Sequence, residues 1–337
     1  MHKNASVDIT HHSTFQLKSM ASDIVSVGTR AVLQEAMKKI CTSNVPYAIL
    51  GGGSNILFAS LVKKLLIIPS FPGIDYQSTD SETLVVVGAG VLWDEFVLDT
   101  VEKGYGSLVL LSAIPGSVGA APVQNIGAYG AEVSDYITEL CVYDIAADAF
   151  RTISATDCGF GYRMSNFKTI WTGRYIIVSV TFLVSKNAPL KITYPGVAAL
   201  VPTDQLLTPL LLRNTIIAIR WSKLPNPLEL PNVGSFFQNP ILSIEQVASL
   251  LTAFPTLPVF ESEQSGMKKI SAGWLIEQCG WKGKRCGPVG MYEKNALVMV
   301  NYGDATLDNV LELQKNIQDS VQEKFGVVLV REPSIIE

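Results

Sequence analysis

Beyond residue 12 the chain has no histidine at all; His2, His11 and His12 are its only three. Imidazole is the usual metal ligand and the usual general base near neutral pH. A histidine-built metal centre or catalytic base is therefore not expected, and the pair His11–His12 reads as surface. Cysteine is scarce and odd in number: Cys41, Cys141, Cys158, Cys279 and Cys286. The one close pair, Cys279 and Cys286, fits neither a zinc nor a redox spacing, so reduced thiols in a cytosolic setting are expected. Charged residues make up only 17% and the net charge is −4. No basic patch argues for nucleic acid as a partner, while anionic ligands stay open through backbone N–H groups and a few placed cations. No apolar run reaches the roughly 20 residues of a membrane span. The opening "MHKNASVDITHHSTF" has no apolar signal-peptide core, and a soluble, cytoplasmic protein without membrane insertion is expected.

What the chain does have is core. Hydrophobic residues are 48% of 337, enough for two or three domains. "TRAVLQEAMKKIC" has a helical period with Ala31, Leu33, Ala36 and Ile40 on one face. "YAILGGGSNILF" reads as a strand, a glycine turn and a short apolar segment. "KKLLIIPSF", "ETLVVVGAG", "ITELCVYDI", "FRTIS" and "YIIVSVTFLVS" read as strands. "LWDEFVLDTVEKGYG" reads as a helix stopped by glycine. Helices are also expected over "TDQLLTPLLLRNTIIAIRWSK", from Ser243 with a Ser243/Gln246 capping box, and from Ser271. A long one starts near Thr306, with Leu307, Val310, Leu311, Ile317, Val321 and Phe325 at helical spacing. "ALVMVN" and the closing "FGVVLVREPSIIE" read as strands. There is no internal repeat and no low-complexity linker.

Three glycine stretches invite different readings. "VVVGAGVLWDEF" imitates a dinucleotide fingerprint, but Trp93 stands where the third glycine belongs and no acidic residue follows at the required distance. A plain strand–turn–helix junction is the better reading. In "LGGGSNIL", Gly51, Gly52 and Gly53 leave their amides uncovered, which suits either a pyrophosphate nest or an ordinary turn. "AIPGSVGAAPVQNIGAYGAE" has almost no bulky or charged side chain before Glu132. That composition suits a backbone pressed against a large flat ligand, or a tightly packed structural loop. Ser235, in the proline-flanked "NVGSFFQNP", is by itself either a turn serine bonded to its local backbone or a reactive hydroxyl.

"GGGSNILF", "IPGSVGAAPVQNIGAYG", "FGYRMSNFK", "SKLPNP", "VGSFFQNP" and "AGWLIEQCGWKG" follow one another in this order. The series resembles the UDP-N-acetylenolpyruvoylglucosamine reductases over nearly the whole chain, and "KITYPGV" is similar to the tyrosine-bearing loop of their longer subtype. The resemblance implies an α+β protein: an FAD-binding fold of the vanillyl-alcohol-oxidase (PCMH) type in two subdomains, then a C-terminal α/β substrate-binding domain closing over the substrate. The expected division is 1–70 and 71–219 for the FAD subdomains, 220–325 for the substrate domain and 326–337 for a closing strand. It implies non-covalent FAD, NADPH as co-substrate, and UDP-N-acetylglucosamine enolpyruvate as the substrate reduced to UDP-N-acetylmuramate. A monomer is expected.

The resemblance also implies roles. Gly51, Gly52, Gly53, Ser54 and Asn55 would line the FAD, with Pro115, Gly116, Ser117, Gly119, Ala120, Gln124, Asn125, Gly127, Ala128 and Tyr129. Ser235 would donate the proton that follows hydride addition, with Gly234 leaving it room. Its weak acidity suffices only against a strongly basic carbon in fixed geometry. Arg163 would face the substrate carboxylate, as a guanidinium fork suits, or else form a structural salt bridge. Tyr162 and Lys168 flank it. Near the C-terminus "LVREPSIIE" departs from the family's "LEPEVR". An ungapped match puts Glu332 at the catalytic position, and a match on the Glu–Pro pair puts Ser334 there. Strand register favours Glu332. Tyr194, Arg220, Lys223, Asn239 and Asn295 are the substrate-side candidates, with Lys223 alternatively a solvated charge and Asn295 a strand cap.

Overall fold

The computed structural model describes residues 6–78, 82–186, 189–190, 192, 194–201 and 205–337. Lys191 and Thr193 of the Tyr194 loop lie outside the described residues, as do His2, Thr203 and Asp204. Helices and strands mix throughout the chain, the α+β content expected. Two compact units are present: Met1–Val7, Ala21–Gly53 and Lys63–Trp221 in one, and Asp8–Met20, Ser54–Val62 and Ser222–Glu337 in the other.

The first unit is built on a five-stranded antiparallel sheet in the order Ala149–Ser154, Ile137–Asp144, Tyr175–Val184, Thr83–Gly88, Ile74–Ser78. Tyr175–Val184 lies at its centre and is apolar on both faces, with Ile176, Ile177, Val180 and Phe182 all buried. A strand covered on both sides needs such a continuous apolar run. Helix Trp93–Glu102 packs beside it, Trp93 and Phe96 meeting Phe182 at centroid distances of 5.9 and 4.9 Å. Elsewhere Tyr47–Ile49 pairs in parallel with Leu65–Ile67. Helix Arg30–Thr42 starts at the Thr29 cap and buries Leu33, Met37 and Ile40. Ala31 is exposed, two residues and hence roughly 200° from Leu33 on the helix, so Met37 takes the core place expected for it.

The dinucleotide-like glycines are packing glycines. A Cβ on Gly88 would lie 2.3 Å from the Phe71 carbonyl oxygen, and one on Gly90 2.5 Å from Ser70 Cα. Helix Pro209–Lys223 starts later than its apolar pattern. Proline at 209 suits a first helical position and disfavours helical geometry at Thr208 before it. Thr208 Oγ1 accepts the Leu211 amide at 3.1 Å instead.

In the second unit, strands Asn232–Ser235, Val298–Asn301, Val289–Met291 and Arg285–Cys286 form one sheet, and Ile241–Ser243, Met267–Ile270 and Val259–Glu261 another. Helix Ile244–Ala253 has the Ser243/Gln246 capping box, and helix Ala272–Gln278 begins at Ser271. Helix Leu307–Phe325 buries Val310, Leu313, Ile317, Val321 and Phe325. Leu313, not Leu311, completes the stripe, because steps of three and four residues keep to one face. The expected closing strand is broken in two: Arg331 makes an isolated antiparallel bridge with Phe237, and Ser334–Ile336 pairs in parallel with Ile56–Phe58. Pro333 interrupts the run and removes a ladder donor.

One ion pair ties several parts of the first unit together. Asp94, in the first turn of its helix, accepts from Arg213 Nη1 and Nη2 at 2.7 Å each. Its Oδ1 also takes the Ala113 amide at 2.5 Å, where the backbone turns through φ +56°. Burial pushes the Asp94 carboxyl up, but the Arg213 fork, the Ala113 amide and the Arg220 charge outweigh it and hold it below the usual aspartate value. Asp94→Asn is expected to cost about 1–2 kcal/mol at neutral pH, the carboxylate being partly solvated. A lowered folded pKa stabilises fully above the unfolded value of about 3.9 and is lost as pH falls through the folded one. The gap between wild type and Asp94→Asn in urea denaturation should therefore hold constant from neutral pH down to the ordinary aspartate range and narrow only below it.

Candidate active site

In the first unit the two glycine-rich stretches meet backbone to backbone. A Cβ on Gly51 would lie 2.6 Å from the Ala120 Cβ, and one on Gly52 would lie 2.7 Å from the Gly116 Cα. Gly119 is pressed in turn against Ala89, where a Cβ would approach to 2.6 Å. Gly53 at φ +65° and Gly116 at φ +129° adopt conformations that favour glycine. The loop is anchored by Val118 N to Val91 O and Gly119 N to Ala89 O, both 2.9 Å, and by Trp93 N to Gly116 O at 3.0 Å. Among the described residues the amides of Gly51, Gly52, Gly53, Gly116 and Ser117 donate no hydrogen bond. Uncovered N–H groups on two interlocked loops suit an anionic diphosphate such as that of FAD, so the residues present fit this cofactor. Ser54 and Asn55 fall in the other unit. There Asn55 O accepts the Ser334 amide at 3.0 Å, and Asn55 Nδ2 donates to Glu332 O at 3.4 Å.

Further along, Asn125 is fully buried, and its side chain bonds within the protein. The short pair Gly127–Ala128 with Ala131–Glu132 forms a hairpin, and Tyr129 at its tip has φ +54°. Arg163 lies in the turn between Gly161 and Met164, also at positive φ, +55°. Its Nη2 donates to Gly127 O at 2.9 Å, and its guanidinium lies 5.4 Å from the Tyr162 ring centroid. The structure thus joins Arg163 to the long glycine-rich loop. Lys168 ends a short 3-10 turn five residues on.

Tyr129, Tyr194 and Arg220 also converge. The two rings meet edge to face at 5.5 Å, and the Tyr129 hydroxyl hydrogen-bonds Arg220. Burial lowers the Arg220 pKa, against the Tyr129 bond and the Asp94 charge; a guanidinium remains charged through such shifts. Its buried Nε has no hydrogen-bond partner among the described residues. Pro115, Gly116, Ala120 and Gln124 remain partly or largely exposed along the same loop.

In the second unit Ser235 ends strand Asn232–Ser235. Its hydroxyl makes no hydrogen bond among the described residues, so it is not the locally satisfied turn serine. Gly234 stands at φ +70°, and a Cβ placed on it would meet nothing within 4 Å; the backbone conformation, not a close neighbour, calls for glycine there. Phe236 and Phe237 behind it are fully buried and meet at 5.1 Å. An antiparallel stretch then brings in the C-terminus: Glu332 N donates to Phe236 O and Gln238 N to Val330 O, both 2.9 Å, with Phe237 opposite Arg331. Glu332 therefore pairs with the residue next to Ser235 and is buried, 8% exposed. Ser334 is exposed and pairs with Ile56.

The remaining candidates divide by environment. Asn239 Oδ1 accepts the Ala272 amide at 2.9 Å, at the start of a helix. Asn295 Oδ1 accepts the Leu297 amide at 3.0 Å, a local turn just before strand Val298–Asn301. Lys223 is an exposed helix end. Two residues escaped the sequence reading. Asn232 accepts the Gly234 amide at 2.9 Å and donates to Pro225 O and Leu230 O, shaping the approach to Ser235; its Asn-x-Gly spacing was the available signal. Asp94 organises the entry to the long glycine-rich loop through Ala113, and no local pattern distinguishes it from an ordinary first-turn carboxylate.

Among the described residues no helix is long and apolar enough to cross a membrane, and no group of three or more His, Cys, Asp or Glu could hold a metal ion. Residues 21–150 match the FAD binding domain family, and residues 226–336 match the C-terminal domain of UDP-N-acetylenolpyruvoylglucosamine reductase. A UDP-N-acetylenolpyruvoylglucosamine reductase of Bdellovibrio bacteriovorus is 42% identical over 328 residues, 97% of each chain. One of Dechloromonas aromatica is 41% identical over 339 residues, 99% of each chain. The crystal structure of the Thermus caldophilus enzyme of that name aligns with a TM-score of 0.70 at 24% identity, covering 99% of this chain and 98% of that one, a likeness of fold. With an FAD-binding domain preceding the reductase's C-terminal domain, the chain is an FAD-dependent oxidoreductase. It belongs to the UDP-N-acetylenolpyruvoylglucosamine reductase family.

Proposed function

We propose that the protein reduces the enolpyruvyl ether of UDP-N-acetylglucosamine enolpyruvate to UDP-N-acetylmuramate, for peptidoglycan precursor synthesis in the cytoplasm. It acts as a monomer, with FAD held non-covalently and NADPH as reductant. The observation that carries the chemistry is the ladder between Phe236 and Glu332 beside the unbonded Ser235 hydroxyl. Bound FAD supplies the hydride, drawn from NADPH, that adds to one carbon of the enol ether.

The chain's own residues handle charge and proton. The amides of Gly51, Gly52, Gly53, Gly116 and Ser117 hold the cofactor diphosphate. The Arg163 fork holds the substrate carboxylate and stabilises the negative charge that grows beside it. Ser235 gives its proton to the neighbouring carbon, which is basic enough to take it from a hydroxyl. Buried Phe236 and Phe237 keep the turn rigid, and Glu332 is the acidic member of the set, with Ser334 outside it. Tyr194, Arg220, Lys223, Asn239 and Asn295 make up the nucleotide-sugar side, where Asn239 also accepts the Ala272 amide at a helix start and Asn295 maintains a local turn.

Three outcomes are expected. Gly52→Ala should weaken FAD binding by about tenfold or more, read by flavin fluorescence on titration of the apoprotein, because the new methyl meets the Gly116 backbone. In Ser235→Ala, NADPH should still reduce the flavin, while product formation falls about 100- to 10,000-fold; near-normal turnover would remove Ser235 from the mechanism. Glu332→Gln should be the damaging member of a pair with Ser334→Ala, measured as NADPH consumption with and without the enolpyruvyl substrate. A severe loss confined to Ser334→Ala would reverse the assignment.

A further inference from the structure

Asn125 stands in the cofactor loop, yet its side chain turns to something else. It is 0% exposed and adopts φ +47°. Nδ2 donates to Glu132 Oε2 at 2.5 Å and to Gly161 O at 3.2 Å, and Oδ1 accepts the Ser134 amide at 3.0 Å. Both amide protons and the carbonyl are thus engaged inside the protein. Gly161 is one end of the turn that carries Arg163: Gly161 N donates to Met164 O at 3.1 Å and Met164 N to Gly161 O at 3.0 Å. Two residues, Tyr162 and Arg163, form the tip.

Arg163 adopts a left-handed conformation there, φ +55°, which persists only where surrounding contacts over-determine it. Those contacts come from the segment that Asn125 begins. Arg163 Nη2 donates to Gly127 O at 2.9 Å. The point where a Gly127 Cβ would stand is 3.1 Å from Glu132 Cγ and 3.2 Å from Arg163 Nη1, so the two side chains flank one glycine. Asn125 therefore grips both the base of the arginine turn and the acid lying alongside the guanidinium.

We infer that Asn125 is a positioning residue for Arg163: it fastens the Gly161–Met164 turn and orients Glu132, so that the guanidinium is held ready for an anionic group. The inference rests on the reading of Arg163 as the partner of the substrate carboxylate. Asn125 acts through its neighbours and need not touch cofactor or substrate with its own side chain.

The test uses the FAD-loaded enzyme and two variants. Asn125→Ala removes the side chain; Asn125→Asp keeps its volume and the acceptor for the Ser134 amide but lacks the donors, and serves alone if the alanine variant does not fold. Amide hydrogen exchange over residues 161–164, read by mass spectrometry, should accelerate about tenfold or more in both. Reoxidation of the reduced enzyme by the enolpyruvyl substrate should slow about tenfold or more, a larger drop than in flavin reduction by NADPH. On an Arg163→Ala background, the Asn125 substitution should add nothing further to that loss. Unchanged exchange at the turn, or losses in reoxidation that add, would overturn the inference. If Arg163→Ala by itself leaves reoxidation intact, the carboxylate-partner reading falls, and exchange at the turn still decides whether Asn125 braces it.

Discussion

Two backbones can approach to van der Waals contact only where no Cβ intervenes, and the glycine-rich loops of this protein depend on that constraint. Gly51 and Gly52 lie against the 116–120 loop, and Gly119 lies against Ala89. At each of these points a single methyl would force one chain away from the other. With the loops packed this closely, the amides of Gly51, Gly52, Gly53, Gly116 and Ser117 are left without a hydrogen bond among the described residues, in a fixed array. A mobile loop would have to be ordered when an anion binds; an array held by its own packing avoids most of that entropic loss. The Asp94–Arg213 pair extends the same rigidity to the beginning of the loop, since the carboxylate that takes the Arg213 fork also takes the Ala113 amide.

Positive-φ residues that are not glycine concentrate around this region. Ala113, Asn125, Tyr129 and Arg163 all adopt left-handed backbone. Each such residue costs about 1–3 kcal/mol, and such strain is retained only where neighbouring bonds over-determine it. Here the bonds can be named: Asp94 to Ala113, Asn125 to Glu132 and Gly161, and Arg163 to Gly127. On the serine side the arrangement differs. Asn232 shapes the turn with side-chain bonds, Gly234 supplies the left-handed step, and two buried phenylalanines fill the space behind. Buried apolar bulk and a bonded turn leave the Ser235 hydroxyl without a hydrogen bond among the described residues.

Much of the fold was legible because it follows from local periodicity and local chemistry. The capping box at Ser243/Gln246, the start at Ser271 and the long helix after Thr306 were all readable, since a cap and its helix lie within four residues of each other. So was the two-faced apolar strand Tyr175–Val184. The errors were local ones: Ala31 for Met37, Leu311 for Leu313, and a helix begun before Pro209. The first two arise because several apolar residues in one helix compete for the buried face and only the neighbouring elements decide between them.

The sequence by itself determined the chemistry on offer: no histidine beyond residue 12, glycine-rich loops without bulk, one serine between a glycine and two phenylalanines, and motifs that resemble a single reductase family. Local composition suffices for these, because the conformational freedom of glycine and the hydrogen-bonding capacity of a side chain belong to the residue. Only the tertiary structure decided which residues share bonds across long sequence separations. It set Glu332 beside Phe236 and Ser334 beside Ile56, brought Tyr129, Tyr194 and Arg220 together, and turned Asn125 toward Gly161. Such pairings depend on strand register and on the path of the chain between distant segments, which no window of neighbouring residues encodes.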